Sequence, residues 1–106
     1  MSLDHDREDE IDISGIEFEW YPPKASSNLK KHGVSFEEAC TVFGDKRLLD
    51  FPDNQHDEDE RRYIGIGSSN MGRLLFVNFT TRGDRIRIIS ARLAERWERK
   101  EYEAAN

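Results

Sequence analysis

Three short apolar segments between residues 63 and 90, separated by turns of only a few polar residues, constrain the fold most strongly. The first segment contains Tyr63, Ile64 and Ile66, and the second, residues 74–79, is a nearly continuous apolar run typical of a central strand. The third covers residues 85–90. Connections this short are too short for the crossover that parallel strands need. The pattern therefore predicts three antiparallel strands joined as hairpins.

The segments before these strands alternate between strand and helix signals. Residues 16–20 alternate apolar and polar side chains, which is typical of a half-buried strand, and two prolines then end it. Residues 24–32 predict a short helix that ends at Gly33 in the left-handed conformation. Ser35 is a suitable N-cap for a second helix, and Glu38 completes a capping-box sequence. This second helix is expected to bury an apolar stripe formed by Phe36, Ala39, Cys40 and Phe43.

The remaining segments complete the predicted architecture. Residues 48–51 predict a short strand, residues 53–60 an exposed acidic loop, and residues 92–104 a charged closing helix with Trp97 directed toward the body. We therefore expect an α+β fold: a small antiparallel sheet with two N-terminal helices and a C-terminal helix. Residues 1–14 are acidic and without periodicity, which predicts a disordered leader, and residues 15–106 are expected to form a single domain.

Several classes of protein do not fit this composition. The sequence has no run of 18 apolar residues, so we expect no membrane association, and its acidic start does not resemble a secretory signal. Cys40 is the single cysteine, which fits a reducing cytoplasm. The histidines lack metal-ligand spacing, and no glycine-rich loop precedes a helix, so neither a metal nor a cofactor is predicted.

Basic side chains are concentrated in the last third of the chain. Residues 1–20 carry eight acidic residues and one arginine, whereas residues 82–100 carry seven basic residues and three acidic ones. In a regular strand Arg85 and Arg87 would share one sheet face with Ile89, while Ser90 would share the other face with Ile86 and Ile88. Acidic residues are scarce in the strands predicted to neighbour them, so a nucleic-acid phosphate is a candidate partner for both guanidiniums.

Other cations could join this site. Arg92 follows the third strand, and Arg61 and Arg62 precede the first. The alternative is that most of these arginines are solvated or paired with nearby carboxylates. His32 also has two interpretations: a general acid or base, or a cation that interacts favourably with the C-terminal end of its helix.

Three blocks of the sequence carry a specific resemblance and cover about residues 16–103. The blocks are Phe18-Glu19-Trp20 with Pro23 and Asn28-x-x-Lys31-His32-Gly33-Val34-Ser35-Phe36-Glu37-Glu38-Ala39; Glu60-x-Arg62-Tyr63-x-x-Ile66-Gly67; and Arg87-Ile88-Ile89-Ser90-Ala91-Arg92-x-Ala94 with Glu98-Arg99 and Tyr102. Taken together and in this order, they resemble the BrnT toxins of bacterial type II toxin–antitoxin systems. One departure is Tyr21, where that family usually has an acidic residue, and residues 1–14 lie outside the resemblance.

The resemblance implies a fold similar to RelE-type toxins and inhibition of translation through RNA cleavage, with the ribosome as a candidate site of action. It also implies neutralisation by a BrnA-like ribbon-helix-helix antitoxin, through which alone the toxin would contact operator DNA. A pure RNA- or antitoxin-binding module without catalysis, and a plain structural subunit, are the alternatives.

A metal-independent ribonuclease must deprotonate the 2′-hydroxyl and stabilise the charge that develops on the phosphate. We predict that Arg62, Arg87 and Arg92 bind the phosphate and that Glu60 or Glu98 is the base. His32 or Lys31 would assist as acid or electrostatic partner. The further predicted RNA-binding residues are Lys30, Lys31, Arg61, Tyr63 and Arg85.

Overall fold

The computed structural model describes residues 10–54 and 61–106, in which five strands form one sheet and three α-helices pack against it. The elements are β1 (Glu17–Glu19), α1 (Pro22–His32), α2 (Phe36–Cys40) with a 3-10 turn (Thr41–Gly44), β2 (Leu49–Pro52), β3 (Tyr63–Ser68), β4 (Leu74–Arg82), β5 (Arg85–Leu93) and α3 (Arg96–Ala104). The α+β class predicted from the sequence is confirmed.

The sheet is mixed rather than antiparallel. Its strand order is β1-β5-β4-β3-β2. The pairs β3–β4 and β4–β5 are antiparallel, as the short turns predicted, and β2 is also antiparallel to β3. β1, however, pairs in parallel with β5, with Glu19 opposite Arg87. The prediction of an antiparallel sheet was wrong at this edge because no turn joins β1 to β5, so turn length gives no information about their direction.

The helix boundaries also differ from the predicted ones. α2 has only five residues before the 3-10 turn, so the pair of N-terminal helices is unequal, and both follow β1. α3 begins at Arg96 rather than at residue 92, because β5 continues pairing with β4 as far as Leu93. Trp97 is 55% exposed, contrary to the prediction that it faces the body, and the fully buried residue of α3 is Glu98. A similarity to RelE-type toxins stays a prediction.

The hydrophobic core lies between one face of the sheet and the layer formed by α1 and α2. Buried side chains from α2 and the central strands form it, including Phe36, Val77 and Ile88. Aromatic rings extend it, with the Phe43 and Phe79 ring centroids 4.9 Å apart. Gly67 permits the 3-10 turn to approach β3, because a Cβ there would lie 2.9 Å from Leu48 Cδ1 and 3.3 Å from the Val42 carbonyl oxygen.

Buried polar groups connect the helices to this sheet. Asn28 of α1 donates its side-chain amide to the carbonyls of Val34 (3.0 Å) and Ala91 (2.8 Å) and accepts from the Ala91 N–H (3.1 Å). Ser35 caps α2 as predicted, by accepting from the Glu38 N–H. The buried Glu38 carboxylate itself pairs with Arg73 and Ser69, and chiefly the hydrogen bond from Arg73 lowers the pKa of Glu38.

The predicted boundary between leader and domain stays a prediction. Residues 1–9 and the predicted acidic loop from residue 55 to 60 lie outside the described residues. Within the rest of the leader, Glu10 forms an isolated bridge with Asp45, and the Ile11 N–H donates to the Gly44 carbonyl. None of the helices in the described ranges has the length and apolar character that a bilayer span requires.

A buried ion pair joins the end of β5 to α3. Both Arg92 terminal nitrogens lie 2.8 Å from the two Glu98 carboxylate oxygens, and the Glu98 side chain is fully buried. Glu98 also accepts the Glu95 N–H at the start of α3, and the Arg92 guanidinium lies 4.0 Å above the Phe76 ring. The hydrogen bond from Arg92 to Glu98 raises the pKa of Arg92. Arg92 therefore has a structural role in this fold.

We expect Arg92→Ala to lower the free energy of unfolding by about 3–5 kcal/mol, because it leaves a buried carboxylate without its partner. The measurement is urea unfolding at neutral pH. Arg96→Ala, which removes an exposed cation from the first turn of α3, is the control and should change stability by less than about 0.5 kcal/mol. The double variant Arg92→Met/Glu98→Gln should recover part of the loss, since no charge is then buried. Equal stability of Arg92→Ala and the wild type would show that the pair does not hold α3.

Candidate functional site

The face of the sheet opposite α1 and α2 carries a group of polar and charged side chains. Strand alternation and register place eight residues of β1, β4 and β5 on this face, which we call the open face. These residues are Glu17, Glu19, Asn78, Thr80, Arg82, Arg85, Arg87 and Ser90. Farther along the same face lie Phe76 and Arg92, where Glu98 of α3 pairs with Arg92. The arginines predicted to bind RNA thus project mainly from a sheet surface.

Arg62 lies on this face as well, and β4 separates it from Arg87. The Arg61 carbonyl accepts a hydrogen bond from Thr80 Oγ, which places residues 61 and 62 beside β4. Tyr63 directs its ring to the core face, so alternation puts the Arg62 side chain on the open face. Thr80 is opposite Arg87 in β5. Because Arg62 and Arg87 flank Thr80, their Cα atoms are about 10 Å apart, or two strand spacings.

Glu19 and Glu17 of β1 provide carboxylates to the arginines of β5. Arg87 lies 2.9 Å from Glu19, and Arg85 lies 3.0 Å from Glu17 and 3.5 Å from Glu19. The hydrogen bond that Arg85 donates to Glu17 is the main cause of the raised pKa of Arg85. The expectation that acidic residues would be scarce around these arginines was wrong, because β1 is a neighbour of β5 that no sequence signal had identified.

A β-bulge changes which side chains the open face presents. Asn78 is opposite Ser90 and Phe79 is opposite Ile88, so Ile89 has no partner in the ladder. The inserted residue reverses the alternation, and Ser90 joins Arg87 on the open face instead of Ile88 on the core face. The predicted placement of Ser90 on the same face as Ile86 and Ile88 was therefore wrong.

The bulge completes a short polar network across the open face. Ser90 Oγ donates to Asn78 Oδ1 at 3.2 Å, and Asn78 Nδ2 donates to Asp53 Oδ2 at 3.2 Å. The sequence predicts only that Asp53 belongs to an exposed loop. The structure places its carboxylate beside Asn78, and its backbone N–H donates to the carbonyl of Arg62.

The other predicted site residues lie elsewhere. Lys30 and Lys31 are exposed and His32 is half-buried in the last turn of α1, on the side of the sheet away from Arg87. Tyr63 stacks on Phe79 on the core face, with ring centroids 5.5 Å apart. Glu98 is fully buried against Arg92, and Glu60 lies outside the described residues. The structure thus groups Arg62, Arg85 and Arg87 but not the lysines, His32 or Tyr63.

The grouped side chains suit binding of a phosphodiester. Arginine offers a planar set of donors that matches phosphate oxygens, and Arg62 and Arg87 could contact a phosphate from two sides. Within residues 10–54 and 61–106, no group of three or more histidine, cysteine, aspartate or glutamate side chains is arranged to hold a metal ion. The chemistry that this geometry offers is electrostatic stabilisation of an anion, with carboxylates near by.

The chain is similar to known proteins of one family. A family model described as "Ribonuclease toxin, BrnT, of type II toxin-antitoxin system" matches residues 20–98. The 1.1 Å crystal structure of the Brucella abortus ribonuclease toxin BrnT is 25% identical to this chain, with a TM-score of 0.60. That match covers 76% of this chain and 99% of the Brucella chain. No curated protein matches the sequence. Since the family model spans more than half of the sequence, the chain belongs to the BrnT family of type II toxins.

Proposed function

We propose that this protein is an endoribonuclease toxin that cleaves RNA on the open face and thereby inhibits translation in the cytoplasm. The observation that carries the proposal is that Arg62 and Arg87 flank Thr80 on this face. Family membership supports RNA as the substrate, because the family is described as ribonuclease toxins.

The proposed reaction uses the 2′-hydroxyl of RNA as the nucleophile and requires no metal ion. Removal of its proton lets the 2′-oxygen attack the adjacent phosphorus, and the 5′-oxygen leaves with a proton taken from solvent. Arg62 and Arg87 would stabilise the extra negative charge on the phosphate oxygens in the transition state. Arginine stays protonated and is a poor proton donor, so its contribution is positioning and electrostatics.

A carboxylate is the proposed proton acceptor, and two positions qualify. Glu60 is the residue predicted from the sequence. Asp53 is a candidate that the fold adds, because its carboxylate accepts a hydrogen bond from Asn78 and its backbone adjoins Arg62. Glu98 is a poor candidate because its carboxylate is fully buried and hydrogen-bonded to Arg92 and to the Glu95 N–H.

The proposal includes a partner that controls the toxin. Membership of a type II toxin–antitoxin family implies an antitoxin protein. We propose that it is a BrnA-like ribbon-helix-helix protein, that it neutralises the toxin by direct binding, and that it alone contacts operator DNA. The ribosome is a candidate location for cleavage, because a slow electrostatic catalyst benefits from RNA that is already oriented.

One observation favours a second candidate, a module that binds RNA or its antitoxin without cleaving. Arg85 and Arg87 are already paired with Glu17 and Glu19, and His32 belongs to α1, which packs on the core face of the sheet. Under this alternative RNA would bind in a salt-sensitive manner and keep its length.

We expect Arg62→Ala and Arg87→Ala each to reduce RNA cleavage by about 10²–10³-fold, the effect typical of removing one transition-state donor. The measurements are growth and RNA integrity after induction in a bacterial host, together with cleavage by the purified protein. Arg99→Ala, which removes an exposed arginine of α3, should keep full toxicity. Thermal melting of each variant should match the wild type and so exclude unfolding.

If Arg62→Ala and Arg87→Ala both cleave RNA at the wild-type rate, the open face is not the cleavage site. Intact RNA with salt-sensitive binding would contradict the ribonuclease proposal and support the binding module.

A further inference from the structure

We infer that the Glu19 carboxylate occupies, in the RNA-free protein, the position of an RNA backbone phosphate and competes with that phosphate for the arginines of the open face. This inference rests on the proposed function, since it assigns a phosphate subsite and its internal competitor to the same face.

Three guanidinium groups converge on the Glu19 carboxylate. Arg87 Nη1 lies 2.9 Å from Oε2, Arg85 Nη1 lies 3.5 Å from Oε1, and Arg82 Nε lies 4.0 Å from Oε2. Both carboxylate oxygens are therefore engaged. Guanidinium groups that converge on one anion form the arrangement by which proteins bind a phosphate.

The geometry exceeds what is needed to attach β1 to the sheet. Glu17 already forms an ion pair with Arg85, its direct partner in the register between β1 and β5. Glu19 forms the same kind of contact with its own partner Arg87, but it also reaches Arg82, which belongs to β4 on the far side of β5. Because this contact crosses β5, it indicates that Glu19 fills a site formed by the arginines.

A phosphate group in solution can reach the arginines that surround Glu19. The side chains of Arg82 and Arg85 are each 54% exposed, and that of Arg87 is 31% exposed. The contacts of Glu19 with Arg82 and Arg85 involve exposed guanidinium groups and contribute little to stability, because water and salt screen them. The contact with Arg87 joins two half-buried side chains, since that of Glu19 is 25% exposed, and it costs more to break. A phosphate that replaces Glu19 would regain the same donors. Glu19 would therefore weaken RNA binding without preventing it.

We expect Glu19→Gln to tighten binding of a 2′-O-methyl RNA oligonucleotide about five- to ten-fold at low salt, because one competing charge is removed. The modified RNA lacks the nucleophile, so binding is measured without cleavage, by fluorescence anisotropy at several salt concentrations. The slope of log affinity against log salt should steepen by about one unit if a further phosphate is neutralised.

Glu17→Gln is the matched control, because it removes the same charge from the same strand and face. Glu17 is 67% exposed and contacts Arg85 alone among the three arginines, so this variant should tighten binding less than two-fold. In an Arg87→Ala background, Glu19→Gln should lose most of its effect, since the double-mutant cycle isolates the coupling between the two residues. If Glu19→Gln fails to fold, Arg82→Ala provides a second test and should weaken RNA binding two- to five-fold.

Three results would overturn the inference. Equal effects of Glu17→Gln and Glu19→Gln would indicate general charge repulsion rather than a subsite. Unchanged or weaker RNA binding by a folded Glu19→Gln variant would mean that Glu19 does not compete with RNA. Unchanged RNA binding by Arg82→Ala would mean that Arg82 does not belong to a phosphate subsite. The proposed function is tested separately, by measuring whether the wild-type protein cleaves unmodified RNA. If the wild type cleaves RNA but Glu19→Gln binds the 2′-O-methyl RNA with unchanged affinity, only the inference about Glu19 is refuted. If neither protein binds or cleaves RNA, both the inference and the proposed function are refuted.

Discussion

The side-chain amide of Asn28 holds the outer edge of β5, and the open face depends on that contact. β1 pairs with β5 only at residues 85–87, so no strand adjoins the outer edge of β5 at Ala91. The Asn28 amide satisfies both the N–H and the C=O of Ala91 there, as a neighbouring strand would. Because an unpaired buried backbone group is costly, this contact fixes α1 beside β5 and keeps the helix on the core face.

Several residues of the family motifs form polar connections between elements of the fold. Asn28 joins α1 to β5, Glu38 pairs with Arg73, and Arg92 pairs with Glu98. A small domain with a thin core gains specificity from buried polar groups whose partners are all satisfied, and no buried side-chain nitrogen or oxygen lacks a partner in the part of the chain that the structure describes. Arg62 and Arg87 come from the same motifs but project from the open face. Presence in a motif therefore does not tell whether an arginine is paired with a buried carboxylate or projects from the open face.

Local signals in the sequence predicted much of the fold. The central hairpins follow from short turns, Gly33 has the left-handed conformation with φ of 70°, and Ser35 caps α2. These features depend on residues close together in the chain, where turn length and capping chemistry restrict the choices.

The contacts that build the site connect residues far apart in the sequence or depend on one irregular residue. The parallel pairing of β1 with β5 brings Glu19 to Arg87 across 68 positions, and neither segment carries a signal for the other. The bulge at Ile89 moves Ser90 to the open face, although the segment reads as a regular strand. Sequence periodicity assumes an unbroken alternation, so one inserted residue is enough to make the predicted faces wrong.

Whether RNA binds the open face or the basic end of α1 can be decided by NMR titration of the isotopically labelled protein with a 2′-O-methyl RNA oligonucleotide. If RNA binds the open face, the largest amide shift changes occur at residues of that face, including Thr80, Arg87 and Ser90, with small changes at Lys30, Lys31 and His32. Shift changes concentrated in the last turn of α1, with β4 and β5 unchanged, would show that RNA does not bind the open face.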